Sequence, residues 1–392
     1  MTSRPHLPLA PLVTPGPELT SAQISRYSRH LLVPGMGMEA QRRLLAARVA
    51  VVGAGGLGSP IVAYLAAAGV GHLTIIDDDV VDTTNLQRQV MHGTDSLGRP
   101  KVDSAAAYVA GLNPDVEVTT RHTRVTLQNA QELLAGHDLV LDGADNFPTR
   151  YAVSDAASAL GLPVVWAAVL RFDAQLSTFV PGAAGAVSLR DLFPVPPRPE
   201  DVPSCAEAGV LGALVGQVGS IMAAEAVKLI CGFGEPLVGR VLLVDALTQR
   251  TREVPLRPVG SVVKPIDREP VREVLPLAEV SVEAVSRMVS EAEGEGEDGA
   301  SPVPVLLDVR EPGEHALGTV PGALTIPVGE VLTWEDIHGV LPEGPVVVYC
   351  KAGPRAQRAA THLIKIGHPE VAVMTGGMLA WVDRIDPSLP SY

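Results

Sequence analysis

Cysteine is scarce in this chain: Cys205, Cys231 and Cys350 are the only three among 392 residues. Three scattered thiols exclude a disulfide framework and any zinc site built on C-x-x-C pairs. Basic charge is also short, with 30 Lys and Arg against 44 Asp and Glu, for a net charge of −14. A broad nucleic-acid face needs clustered cations, so no direct nucleic-acid contact is expected and macromolecular partners should be proteins. Long apolar runs read as broken by Gly, Pro or charge, short of the twenty or so residues of a membrane span. The N-terminus lacks a basic flank followed by an apolar core, and its prolines at 5, 8, 11, 15 and 17 make residues 1–18 an extended tail rather than a signal peptide. These absences lead to the expectation of a cytoplasmic chain with no membrane partner.

What is present suits a globular protein, with 46% hydrophobic and 19% charged residues. Its length allows roughly two to three domains at about 150 residues each. A helix is expected from Thr20, with Gln23 completing a capping box, to about Leu32. Arg48–Val52 reads as a buried strand, Ser59–Ala68 as a helix closed by Gly69, and Leu73–Asp77 as the next strand. Further strands at 116–120, 139–142, 164–167 and 241–245, with helices between, make an α/β sheet domain over residues 19–254. Residues 255–275, rich in Pro, Val and alternating charge, read as a linker to a second domain over 276–392. The run Glu291–Gly299 of acidic residues and glycine reads as a disordered loop within it.

Two loops carry chemistry. Cys350 follows the apolar strand Val346–Tyr349 and heads Cys350-Lys351-Ala352-Gly353-Pro354-Arg355, where backbone N–H groups can converge on an anionic sulfur. Four residues separate Cys350 from Arg355, one fewer than in a cysteine phosphatase loop, so the ring suits a single sulfur better than a phosphate. The second loop is Gly53-Ala54-Gly55-Gly56-Leu57-Gly58, between a strand and a helix, a phosphate-binding turn. Asp77, nineteen residues beyond Gly58, can accept hydrogen bonds from a ribose. That much equally describes an NAD-binding Rossmann domain. Arg88 and Lys101 add the positive charge that a triphosphate needs, and Asp145, near a strand end, is placed to hold Mg2+. Cys231, at an expected helix end among apolar residues, reads as packing.

Residues 19–255 resemble the ATP-dependent adenylyltransferases that activate ubiquitin-like sulfur carriers, the molybdopterin-synthase and thiamine-pathway activating enzymes. The resemblance rests on the glycine loop, Arg26–His30, Asn85-Leu86-Gln87-Arg88-Gln89, Lys101, Asp145-Asn146 and Ser204–Val210. From about Pro276 onward the chain resembles a rhodanese domain, through Leu307–Pro312 with Glu314, Gly318–Ala323, the cysteine loop and Gly376–Trp381. The fold so implied is a Rossmann-like adenylyltransferase domain followed by a smaller α/β sulfurtransferase domain.

The resemblance also implies roles. ATP and Mg2+ would be held by Gly53, Gly55, Gly56, Gly58, Asp77, Asp79, Asn85, Gln87, Arg88, Lys101, Asp145 and Asn146. Arg29 would reach into the ATP site of a second subunit, which implies a homodimer. Cys350 would carry sulfur as a persulfide, held by Arg355 and the loop amides and loaded by a cysteine desulfurase or another donor. The partner would be a ubiquitin-like carrier ending in Gly-Gly. Cys205 resembles a cysteine that some relatives bond covalently to the carrier; a purely structural role is the other reading. Many relatives hold zinc with two C-x-x-C pairs, whereas here the first is replaced around Ala184–Ser188 and the second is absent, so zinc is not expected. Rival readings are a second domain that only docks a partner, and an NAD-dependent oxidoreductase.

Overall fold

The structure, a computed structural model, describes residues 10–183, 186–197, 209–259, 277–294, 304–336, 340–342 and 344–391. Cys205, most of the Ser204–Val210 segment and residues 260–275 of the expected linker lie outside them, as do the start of the N-terminal tail and residues 295–299 of the acidic run. The chain falls into two compact units that divide between Lys264 and Pro265.

In the first unit Thr20 caps α1 (Ser21–Leu31), and the box forms as a reciprocal pair: Gln23 N donates to Thr20 Oγ1 at 3.2 Å and Thr20 N to Gln23 Oε1 at 3.0 Å. There follow α2 (Gly37–Ala46), β1 (Arg48–Val52), α3 (Gly58–Ala68), β2 (His72–Ile76), α4 (Lys101–Leu112), β3 (Glu117–Arg121), α5 (Ala130–Leu134), β4 (Leu139–Asp142) and α6 (Phe147–Leu160). Then come β5 (Val164–Leu170), β6 (Asp173–Phe179), α7 (Leu189–Leu192), α8 (Gly212–Cys231), β7 (Arg240–Asp245) and β8 (Arg250–Pro255). The eight strands run in the order β3-β2-β1-β4-β5-β6-β7-β8. The first five are parallel and the last three add on antiparallel. Strands β1, β2 and β4 are apolar-rich and, Arg48 apart, buried along their length because helices cover both faces of the parallel half. Chain order reverses between β1 and β4, so the crevice at their carboxyl ends is where an α/β sheet binds ligands.

Helix α8 corrects the expectation about apolar runs: it is long and apolar enough, by length and composition, to cross a membrane. Its Leu214, Val218, Met222, Leu229 and Ile230 are instead buried against α2, α3, β5 and β6, which makes it a core helix. Its acidic residue Glu225 is buried but satisfied, accepting from Thr178 Oγ1 at 2.8 Å and Leu237 N at 2.7 Å and pairing with Lys228. Residues expected to open the linker remain tied to this unit. Pro255 ends β8, Leu256 N donates to Gly239 O, and Val259 N donates to Asp191 Oδ1.

The second unit comprises β9 (Ala278–Val280), α9 (Val282–Gly294), β10 (Val305–Asp308), α10 (Pro312–His315), β11 (Leu324–Thr325), α11 (Val328–Val331), β12 (Val346–Tyr349), α12 (Pro354–Lys365), β13 (Val371–Met374) and α13 (Gly377–Arg384). Its five strands are all parallel, in the order β11-β10-β12-β13-β9. Helix α9 continues to Gly294 and so takes in the first residues of the acidic run. Central β12 is wholly buried and delivers Cys350 at its carboxyl end.

Candidate functional site

At the switch point of the first sheet, a cavity is walled by the loops after β1, β2 and β4. Gly53, at φ +91°, turns the chain away from β1; a Cβ there would stand 2.9 Å from Gly143 O. A Cβ on Gly58 would fall 2.1 Å from Gly53 O, so Gly58 serves close packing while Gly53, Gly55 and Gly56 face the cavity. Bare main chain at these positions forms a cradle that side chains would fill, and the positive end of α3 backs it, as a bound phosphate requires.

Asp77 stitches this cradle to its rim. Its Oδ2 accepts from Ala54 N at 2.7 Å and its Oδ1 from Asp79 N at 2.8 Å. Burial raises its pKa, while the Lys101 charge and these two amides oppose the rise. Lys101 opens α4, is 5% exposed, and donates from Nζ to Asp79 Oδ2 at 2.8 Å. Arg88 places its stem beside Gly56 and donates to Thr84 O at 3.0 Å. Both cations, both aspartates, Asp145 and Asn146 line the same cavity. Asp145 is exposed, and Asn146 caps α6 by accepting from Thr149 N at 3.0 Å. The fit to Mg-ATP is chemical: the glycine loop and two cations line the cavity, as a triphosphate needs, and Asp145 offers the hard oxygen that Mg2+ takes.

Other anticipated residues stand elsewhere. Asn85 and Gln87 do not line the cavity: Asn85 turns its amide to Thr84 Oγ1 at 3.4 Å, and the Gln87 main chain lies under Gly212. Arg29 is exposed on α1 and also does not line the cavity of its own subunit. The structure adds residues that motif reading passed over. Gln89, 4% exposed, borders the cavity with an Oε1 that has no hydrogen-bond partner among the described residues. His92 is buried below the loop: Nε2 donates to Ala54 O at 2.8 Å and Nδ1 accepts from Ser104 at 3.0 Å, as one neutral tautomer does. Burial lowers its pKa, in keeping with that neutral form. Arg150, also lining the cavity, donates to Ala144 O at 3.1 Å and lies over the rings of Phe147 and Trp166. The carboxyl of Asp142, which accepts from Ala144 N, is pushed up to about 6 by burial against the opposing charge of Arg150.

In the second unit Cys350 is 1% exposed and accepts from Gly353 N at 3.1 Å, with the loop closing into the amino end of α12. Gly353 takes φ +128°, which lets the amide face the sulfur. The Arg355 guanidinium makes a two-pronged pair with Glu314, at 2.5 and 2.8 Å. The Asp-Val-Arg motif is likewise scaffolding, for Asp308 and Arg310 pair at 2.6 Å with no exposure and Arg310 also donates to Gly318 O at 2.7 Å. Burial raises the pKa of Tyr349 beside them, and its hydroxyl accepts from Val320 N. Cys231 ends α8 as a buried thiol whose pKa burial pushes up to about 12, the wrong direction for a nucleophile.

Residues 27–260 match the ThiF family and residues 290–384 the rhodanese-like domain. The chain is 40% identical over 400 residues to the probable adenylyltransferase/sulfurtransferase MoeZ of Mycobacterium tuberculosis, covering 98% of this chain and 99% of the relative. It is 34% identical over 396 residues to the adenylyltransferase and sulfurtransferase MOCS3 of Aedes aegypti, covering 96% and 90%. The SAMP-activating enzyme E1 of Haloferax volcanii matches 61% of this chain and 87% of its own length, at 51% identity. Among solved structures, E. coli MccB with ATP shares the fold of the first unit, at 21% identity and a TM-score of 0.52 over 60% of this chain and 73% of that one. The chain therefore belongs to the ThiF family, in the form that joins an adenylyltransferase to a C-terminal rhodanese-like sulfurtransferase domain.

Proposed function

We propose that this enzyme adenylylates the C-terminal glycine of a ubiquitin-like sulfur carrier and then replaces the adenylate by sulfur carried on Cys350. The supporting observation is the pairing, in one chain, of a glycine cradle facing Lys101 and Arg88 with a parallel-sheet cysteine loop whose Gly353 amide reaches the sulfur. The carrier carboxylate attacks the α-phosphate of ATP, and pyrophosphate leaves with the bonding electron pair. Lys101 and Arg88 offset the developing charge, the loop amides of Gly53–Gly58 hold phosphate oxygens, and Asp77 keeps Ala54 and Asp79 in register. Asp145 would hold Mg2+, which when bound neutralises phosphate charge. Arg29 is exposed and does not line its own cavity, which fits service to a second copy of the chain in a homodimer.

The acyl adenylate then meets a persulfide on Cys350, loaded by a cysteine desulfurase or another donor. Its terminal sulfur attacks the acyl carbon, AMP leaves, and an acyl disulfide links carrier to enzyme. A second thiol, assigned to Cys205, attacks the Cys350 sulfur and frees the carrier thiocarboxylate; the resulting enzyme disulfide is reduced by a dithiol, as a reducing cytoplasm allows. Replacing Cys350 by alanine is expected to abolish thiocarboxylate, read as intact carrier mass, and to leave carrier-dependent pyrophosphate exchange at the wild-type rate. Loss of both activities would refute this division of labour.

A further inference from the structure

We propose that Gly377 is a positioning residue for the sulfur chemistry of Cys350, acting by letting the amino end of α13 hold the carbonyls of the cysteine loop. A trans peptide plane points its C=O and N–H in opposite directions, so fixing a carbonyl on one side aims the amide of the same plane to the other. Two carbonyls of the cysteine loop are fixed in this way. Met378 N donates to Cys350 O at 2.8 Å and Leu379 N to Lys351 O at 3.0 Å. The N–H groups of Lys351 and Ala352, in the same peptide planes, therefore turn away from α13, and Gly353 N adds its bond to Sγ at 3.1 Å. Amides so placed are the donors available to an anionic sulfur on Cys350.

This arrangement depends on an absent side chain. Gly377 has φ +57°, and a Cβ on it would stand 2.4 Å from Cys350 O and 2.7 Å from Lys351 O. Helix α13 cannot back away, because Met378 and Trp381 anchor it at 2% and 3% exposure. The strain must then fall on the two carbonyls, and through their peptide planes on the amides that serve the sulfur. Gly376 differs: a Cβ there meets Ala380 Cβ, inside the same helix, rather than the loop. Gly367 supplies a control in the same unit, with φ +102° and no atom of the described residues within 4 Å of its Cβ position. Its substitution strains the backbone without touching the cysteine loop.

The inference rests on reading Cys350 as the sulfur carrier, and the experiment separates the two. Full-length wild type, Gly377→Ala and Gly367→Ala are compared in alkylation of Cys350 by iodoacetamide across pH, followed by peptide mass mapping, and in persulfide loading from thiosulfate. In loading, the Cys350 thiolate attacks the outer sulfur of thiosulfate, the sulfur–sulfur bond of thiosulfate breaks, and sulfite leaves with the electron pair. Gly377→Ala is expected to raise the pH midpoint of alkylation by about one unit and to slow loading by about tenfold or more, as loss of a donor to an anion does. Pyrophosphate exchange and both sulfur readouts of Gly367→Ala are expected to stay at wild-type values. An unchanged midpoint and loading rate in Gly377→Ala, or equal losses in Gly367→Ala, would overturn the proposal. Should Gly377→Ala fail to fold, Leu379→Pro removes one donor within the first helical turn, where proline is tolerated; it is expected to shift both readouts the same way, and wild-type behaviour in it overturns the proposal. A wild type that never gains a sulfur atom would instead defeat the carrier reading, while the alkylation midpoint still decides the role of Gly377.

Discussion

Replacing Lys101 by methionine should separate catalysis from stability. The side chain is 6% exposed, so its stem fills space that methionine also fills, and a volume-conserving exchange costs less than about 1.5 kcal/mol. Asp79 loses its ionic partner, but its own side chain is 61% exposed. Water screens such a carboxylate, and the pair contributes only about 0–1 kcal/mol. Folding therefore loses little. Pyrophosphate departure loses more, because removing one preorganised donor to developing negative charge costs about 10²–10³-fold in rate, or about 2.7–4 kcal/mol. The assay is carrier-dependent ATP–pyrophosphate exchange at saturating carrier, alongside thermal melting. Exchange should fall by about two to three orders of magnitude, while the melting temperature drops by no more than about 2–4 °C per kcal/mol lost. Exchange within about threefold of wild type would refute the electrostatic assignment, as would a collapse in melting temperature that accounts for the lost rate.

Other expected outcomes follow from the same geometry. Glu314→Gln strips the charge from the partner of buried Arg355, and unfolding of the second unit by denaturant should show a loss of about 3 kcal/mol, the low end for a broken buried pair, since glutamine still accepts a hydrogen bond. A loss below about 1 kcal/mol would show that the pair does not brace the loop. Gly58→Ala drives a Cβ onto Gly53 O and is expected to cost about 1–3 kcal/mol and to weaken ATP binding about tenfold or more by calorimetry; unchanged affinity counts against the cradle. Asp142 is held at about 6 by burial, above its ordinary 3.8, so the folded state gains from its protonated form. That gain is complete below the ordinary value and is lost as pH rises through about 6, a change of roughly 3 kcal/mol. Wild type should thus lose stability relative to Asp142→Asn between about pH 4 and pH 7, and a gap that does not vary with pH would refute the assignment.

The parallel strands and both reactive loops were legible because burial on two faces writes itself as apolar runs and a chain reversal at a strand end writes itself as glycine. In the antiparallel half only β7 was, as the apolar run at 241–245. The first hairpin of that half turns through Arg171 at φ +54°, a left-handed residue that is not glycine, so the usual turn signal is missing between β5 and β6. Arg150 was passed over because what marks it is tertiary: it lies over Phe147 and Trp166, and Trp166 belongs to a strand beyond that helix. Arg355 stands at the loop end as the motif requires, yet Glu314, 41 residues earlier, takes its guanidinium. Asn85 and Gln87 carry the expected spacing, but a short helical turn at Thr83–Asn85 directs them off the cavity wall. Spacing names candidates; which way they face depends on neighbours remote in sequence.

Both reactive loops present main chain to their ligands and are held by glycines: a Cβ on Gly58 would strike Gly53 O, and one on Gly377 would strike Cys350 O. A surface of amides looks the same whatever residues flank it, so it can perform a reaction but holds little information about whom to perform it on. Partner choice must be written where side chains are free to vary. The tips of two neighbouring hairpins, where Phe172 is 42% and Leu247 72% exposed and Ala246 N donates to Phe172 O, have that freedom. Side chains there can change while every atom of the chemistry stays in place.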